Sequence, residues 1–166
     1  PEAPHKHDYI DLVETDFDKT SRSLSWSYTA DGAPRELRAP SEPGIYKVRF
    51  VWLGAGKRSV IAETPIEVVD AEAAIFAPET VGIGQTFELQ WRGPDNKNDY
   101  IDFVSPEQTA TNTQITYAYT RQGETLKMIA PGAPGAFKLR YITVGSGGER
   151  VLTSVPITVE DTRAEV

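Results

Sequence analysis

Cysteine is absent from the 166 residues, which excludes a disulfide scaffold, a thiol nucleophile, an iron–sulfur cluster and a cysteine-based zinc site. Histidine is almost absent: His5 and His7 lie in the first seven residues, and the rest of the chain has none. With no Gly-x-Ser-x-Gly elbow either, nucleophilic catalysis of the Ser–His–Asp kind has no candidate residues. No apolar run approaches the ~18 residues that a membrane helix requires, and no secretory signal pattern is present. Positive charge is in the minority, 17 Lys+Arg against 24 Asp+Glu, for a net charge of −7. That balance argues against a nucleic-acid or anionic-membrane surface. What is present is 39% hydrophobic residues, enough for a packed core.

The chain repeats itself. Asp8-Tyr9-Ile10-Asp11-Leu12-Val13 returns as Asp99-Tyr100-Ile101-Asp102-Phe103-Val104, an offset of 99 − 8 = 91. Gly44-Ile45-Tyr46-Lys47-Val48-Arg49 returns at the same offset as Gly135-Ala136-Phe137-Lys138-Leu139-Arg140, and Pro65-Ile66 as Pro156-Ile157. Laid over residues 8–70 and 99–161 without a gap, about 22 of 63 positions are identical. Random pairing at ordinary composition gives roughly four. The pattern is a tandem duplication.

The second copy reads as strands near 73–77, 85–91, 99–104, 114–120, 125–129, 135–144 and 150–160, each bounded by Gly, Pro or Asn. Phe87, Leu89 and Trp91 share one face, and Phe137, Leu139 and Tyr141 another. Seven short strands in about 90 residues predict an immunoglobulin-like β-sandwich. Tyr46 stands where such folds place a Tyr whose hydroxyl turns back to the chain. Phe137 holds that place in the second copy, and Val48 and Leu139 stand where a disulfide cysteine is found. The expected class is therefore all-β: two tandem immunoglobulin-like sandwich repeats, residues 1–70 and 71–161, with a tail at 162–166.

The first copy is short. Residues 72–91 have no counterpart, since 72 − 91 = −19. This predicts a first repeat lacking its N-terminal strands, with an open core and unpaired edges. Either the chain is a piece of a longer protein, which the Pro at position 1 fits, or another chain supplies the strands.

Few residues carry candidate chemistry. His5, His7 and Asp8 have metal-ligand character in an extended segment, but the histidines align with Asn96 and Asn98, so a solvated loop is expected. Asp8 and Asp11, like Asp99 and Asp102, lie three apart in a strand and so on opposite faces, which disfavours a convergent acid–base pair. In this reading Ile10, Leu12, Ile101 and Phe103 face the core, Asp8 and Asp99 close the preceding turn, and Asp11 and Asp102 face solvent or an edge as candidate ligand contacts. Trp26 and Trp91 fall on inward faces, whereas Trp52, replaced by Thr143 in the second copy, is the candidate exposed or interface aromatic. Lys47 and Arg49, repeated as Lys138 and Arg140, form an outward basic pair matched to acids across the strands. The Gly145-Ser146-Gly147-Gly148 segment lacks the Lys-Ser/Thr and helix of a phosphate loop and reads as a hairpin.

The series Gln90-Trp91-Arg92-Gly93-Pro94, Asn98-Asp99-Tyr100-Ile101-Asp102, Ala133-Pro134-Gly135 and Val155-Pro156-Ile157-Thr158-Val159 resembles a tandem module of alphaproteobacterial envelope proteins. Those modules occur in large chains described as von Willebrand factor type A or calcium-activated chloride channel-like proteins. The resemblance implies an extracytoplasmic sandwich repeat, periplasmic or at the cell envelope, beside a separate A domain whose Asp-x-Ser-x-Ser metal motif is absent here. The resulting expectation is a non-catalytic spacer and interaction module without a cofactor. Its partners are other domains of the same polypeptide or envelope proteins, with strand complementation between chains at the incomplete first repeat. The junction at residues 69–74 lacks Gly and Pro, as a restricted linker requires. The alternative is a carbohydrate- or small-ligand-binding sandwich module.

Overall fold

The computed structural model describes residues 6–17, 22–54 and 56–161, and their regular structure is twelve strands and two short 3-10 turns. The chain is thus all-β, and it divides into two compact units. One is Pro1–Asp70 with Gly145–Gly148, the other Ala71–Val144 with Glu149–Val166. Residues 69–73, most of the junction between the copies, are irregular.

In the first unit, β1 (Tyr9–Glu14), β2 (Ser25–Tyr28), β3 (Gly44–Gly54) and β4 (Lys57–Val68) form one antiparallel sheet in the order β2-β1-β3-β4. A 3-10 turn, Thr29–Asp31, follows β2 and ends at Gly32, whose φ of 89° a side chain would strain. The second unit contains the same elements 91 residues on: β8 (Tyr100–Val104), β9 (Thr116–Tyr119), the turn Thr120–Gln122, β11 (Gly135–Gly145) and β12 (Gly148–Glu160). To these it adds β5 (Ala74–Phe76), β6 (Thr80–Gly82), β7 (Thr86–Arg92) and β10 (Thr125–Ile129).

Those additions make the second unit a sandwich. One sheet runs β10-β7-β5, the other β6-β12-β11-β8-β9. Phe87 and Leu89 of β7 point inward opposite Met128 and Leu126 of β10, while Glu88 and Gln90 face out. Ile101, Phe103, Leu139, Tyr141 and Ile157 of the larger sheet join them in one buried cluster, with Trp91 packed against it. Each such side chain contributes about 1.5–3 kcal/mol on burial. All seven strands expected from the sequence are present. The sequence reading missed β6, whose three residues pair in parallel with the end of β12. The leading segment therefore holds three strands, not two. Pro156 precedes the residues of β12 that pair with β6, in keeping with proline's place on strand edges.

Among the described residues the first unit has no counterpart of β5, β6 and β7. Residues 34–38, which correspond to β10, form no strand. Without β7 that segment has no ladder to join. On the face of the sheet that β7 covers in the second unit, Leu12 is buried, Ile10, Val48 and Phe50 are half-buried, and Ile66 is exposed. Ile10, Val48, Phe50 and Ile66 stand where the second unit has Ile101, Leu139, Tyr141 and Ile157. Ile157 is 2% exposed, and Ile66 is 44% exposed. The loop entering β3 is fixed as the sequence predicts, with the Tyr46 hydroxyl donating to the Glu42 carbonyl at 2.9 Å.

Candidate functional site

The other face of each sheet holds a buried ion pair. Asp11 lies opposite Arg49 across β1 and β3, and Asp102 opposite Arg140 across β8 and β11. Arg49 Nε and Nη2 donate to the two Asp11 carboxylate oxygens at 3.0 and 2.7 Å, and Arg140 grips Asp102 likewise at 3.0 and 2.6 Å. Both aspartates are 0% exposed. The expectation that Asp11 and Asp102 face solvent, and that the arginines form an outward basic face, is therefore corrected. Strand alternation assigns alternate residues to opposite faces, but in the second unit both faces are covered, so every residue of β8 is buried, and in the first unit the face of Asp11 is covered. The cross-strand pairing itself is as expected. Lys47 meets Glu63 at 3.5 Å beside it.

What covers the pair is the loop that follows the first strand. In the second unit Arg140 Nη1 donates to the carbonyls of Gln108 and Thr109, and Nη2 to that of Ala110. With the Asp102 bonds, all five guanidinium N–H groups are engaged. In the first unit the Arg49 guanidinium lies 5.8 Å from the Phe17 ring centroid, and the Ser23 hydroxyl donates to Asp11 at 2.7 Å. The Asp11 hydrogen bonds hold Arg49 above its ordinary pKa despite burial. These groups are fully satisfied structural pairs, and Asp11 and Asp102 are unavailable as exposed ligand contacts.

Asp8 and Asp99 anchor the start of the strand. Asp99 accepts from the amides of Asn96 and Val144 and from the hydroxyls of Tyr141 and Thr143, and so closes the preceding turn as expected. Asp8 accepts from the Leu53 amide, the counterpart of Val144. Phe50 and Trp52 replace Tyr141 and Thr143, so the first unit lacks those two hydroxyl donors. Trp52, expected as an exposed or interface aromatic, is half-buried, its ring lying where a Cβ on Gly54 would stand. The exposed indole is Trp26, 55% accessible, which corrects its inward placement.

His5 lies outside the described residues. His7 packs edge-on against Tyr28 at 6.0 Å, and no group of three metal-ligating side chains occurs among the described residues. No described helix is long and apolar enough to cross a membrane.

Burial raises the pKa of the Tyr100 hydroxyl, aided by the Glu149 carboxylate, and burial likewise raises that of Tyr141, beside Asp99. The unfolded chain releases these protons near the ordinary value of 10.0, whereas the folded chain retains them. Stability from the two tyrosines is therefore complete below pH 10 and falls as pH rises past it. Urea unfolding of the second unit is expected to shift to lower denaturant between pH 9 and 11.5, and less so in Tyr141→Phe. Identical pH slopes in the two proteins contradict this. No protein-family model and no curated protein matches the chain.

Proposed function

We propose that the chain is a non-catalytic spacer and interaction module of a larger bacterial cell-envelope protein, built of two immunoglobulin-like repeats. The observation that carries the interaction role is the open apolar face of β1, β3 and β4, because the second unit covers the same face with β5, β7 and β10. The envelope location and a neighbouring A domain rest on the resemblance of the strand and turn residues given above. The buried aspartates support a structural role for the polar residues, since their carboxylates are occupied by partners within the fold.

The open face fits a strand with the alternation of Phe87, Leu89 and Trp91, supplied by the same polypeptide or by a partner chain. Charge refines its sequence. In the second unit Lys127 of β10 pairs with Glu88 of β7 at 3.5 Å, but the first unit has Glu36 at the place of Lys127. The partner strand therefore carries a basic residue at the position of Glu88. A peptide of residues 72–94 bearing Glu88→Lys is expected to bind the full chain saturably in calorimetry. It binds more tightly than the unsubstituted peptide, and Ile66→Asp in the chain removes the binding. Failure of both peptides to bind, or binding unchanged by Ile66→Asp, overturns the reading.

A further inference from the structure

The face of the first sheet opposite the open one carries a second feature. Tyr28 and Trp26 are the cross-strand partners of Tyr9 and Asp11, so both aromatics stand on the side of the buried ion pair. Beside that pair is a cavity of about 480 Å³, lined chiefly by His7, Tyr9, Arg22, Trp26, Tyr28 and Arg58. The volume lies within the range of roughly 300–1,000 Å³ usual for small-molecule sites. The rings of Trp26 and Tyr28 meet edge-to-face at 4.8 Å, which leaves the indole largely exposed.

The second unit provides a control at the same fold positions. There Asn98, Thr113 and Glu149 replace His7, Arg22 and Arg58, and tyrosines stand at 100, 117 and 119. The Tyr100 hydroxyl is 3.3 Å from Glu149 Oε2 and donates to the Thr111 carbonyl at 3.0 Å. That copy of the site holds a carboxylate of its own chain. In the first unit the residue at the place of this glutamate is a guanidinium, and a second replaces the threonine. Burial governs both Tyr9 and Tyr100, but the leading charge on Tyr9 is Arg58 and on Tyr100 it is Glu149. At the place of the Glu149 carboxylate the first unit thus carries a cation, in a chain whose net charge is −7.

We propose that the pocket between β1, β2 and the β3–β4 hairpin binds a carboxylated sugar residue, with its carboxylate on Arg58 and Arg22 and its ring against Trp26. Guanidinium groups suit a carboxylate through paired N–H donors. An exposed indole flanked by phenol edges offers an apolar platform with polar rims, which suits a sugar ring and its hydroxyls. The site lies on the face opposite the proposed strand-binding surface, so the two roles are separable.

The test is titration of the full chain with a trigalacturonate probe and with the neutral galactose trisaccharide, followed by calorimetry and the Trp26 indole resonance. The acidic probe is expected to bind saturably and at least tenfold more tightly than the neutral one. Arg58→Glu, which installs the residue of the second unit at an exposed position, is expected to weaken it at least tenfold. Arg22→Thr also weakens binding, and Trp26→Ala abolishes it, while none of the three changes binding of the residue 72–94 peptide. No saturable binding, equal binding of both sugars, or full binding by Arg58→Glu each overturn the proposal. Tighter binding of an oligoglutamate peptide than of the acidic sugar overturns the assignment to sugars.

Discussion

Replacing Arg140 with leucine is expected to destabilise the second unit by about 3–5 kcal/mol, the cost of leaving one member of a buried ion pair without its counterion. Asp102 then sits at 0% exposure with no positive charge beside it. Three loop carbonyls, those of Gln108, Thr109 and Ala110, lose their donor in the same change. For a unit of this size the loss lowers the melting temperature by more than about 10 °C. Arg140→Lys is expected to recover only part of it, because one ammonium cannot match the two-pronged contact to Asp102 and also reach the three carbonyls. Joint replacement of Asp102 and Arg140 by leucines is expected to be far milder than the single change, since it removes the uncompensated charge. Urea denaturation of the two single variants and the double variant gives the coupling energy directly. A cost for Arg140→Leu below about 1 kcal/mol contradicts the buried, fully engaged pair.

The second large effect concerns the two sheets as a matched pair. Ile157→Ala and Leu139→Ala are expected to cost the second unit about 2–5 kcal/mol each, because both side chains fill a closed sandwich and leave a cavity when shortened. Their counterparts Ile66→Ala and Val48→Ala are expected to stay below about 1 kcal/mol, as changes at accessible positions usually do. Denaturation followed by amide resonances assigned to each unit separates the two transitions. Equal costs for Ile66→Ala and Ile157→Ala would mean that the first sheet is covered after all.

Much of this architecture is legible in the sequence, and for a physical reason. The strands of the second unit are short, alternate cleanly and are closed by Gly, Pro and Asn, so Phe87 and Leu89 or Leu139 and Tyr141 mark their own faces. The offset of 91 marks which segment of the second copy has no counterpart in the first. Tyr46 and Asp99 show their roles because each contact closes a local turn.

The polar site was harder to see. Alternation separates Ile101 from Asp102, but it does not reveal that a loop covers the outer face, and a charged residue on that face reads as solvated. The register that places Asp102 opposite Arg140 joins residues 38 apart, beyond the reach of local pattern. Trp26 misled for a related reason. In β2 the core-side residues are Ser25 and Ser27, matched by Thr116 and Ala118 in β9, so the small residues face in and the aromatics face out. No local pattern marks Arg58, which stands out only against Glu149 at the same place in the second copy. β6 is too brief, at three residues, to show any alternation.

The most direct test of the open face is the accessibility of isoleucine methyl groups in the full chain to a soluble paramagnetic probe, read by nuclear magnetic resonance. Ile10 and Ile66 of the first unit are compared with Ile101 and Ile157, their counterparts in the second. The account expects strong relaxation enhancement of Ile66, a clear effect on Ile10, and almost none for Ile101 and Ile157. Equal protection of all four methyl groups would contradict it.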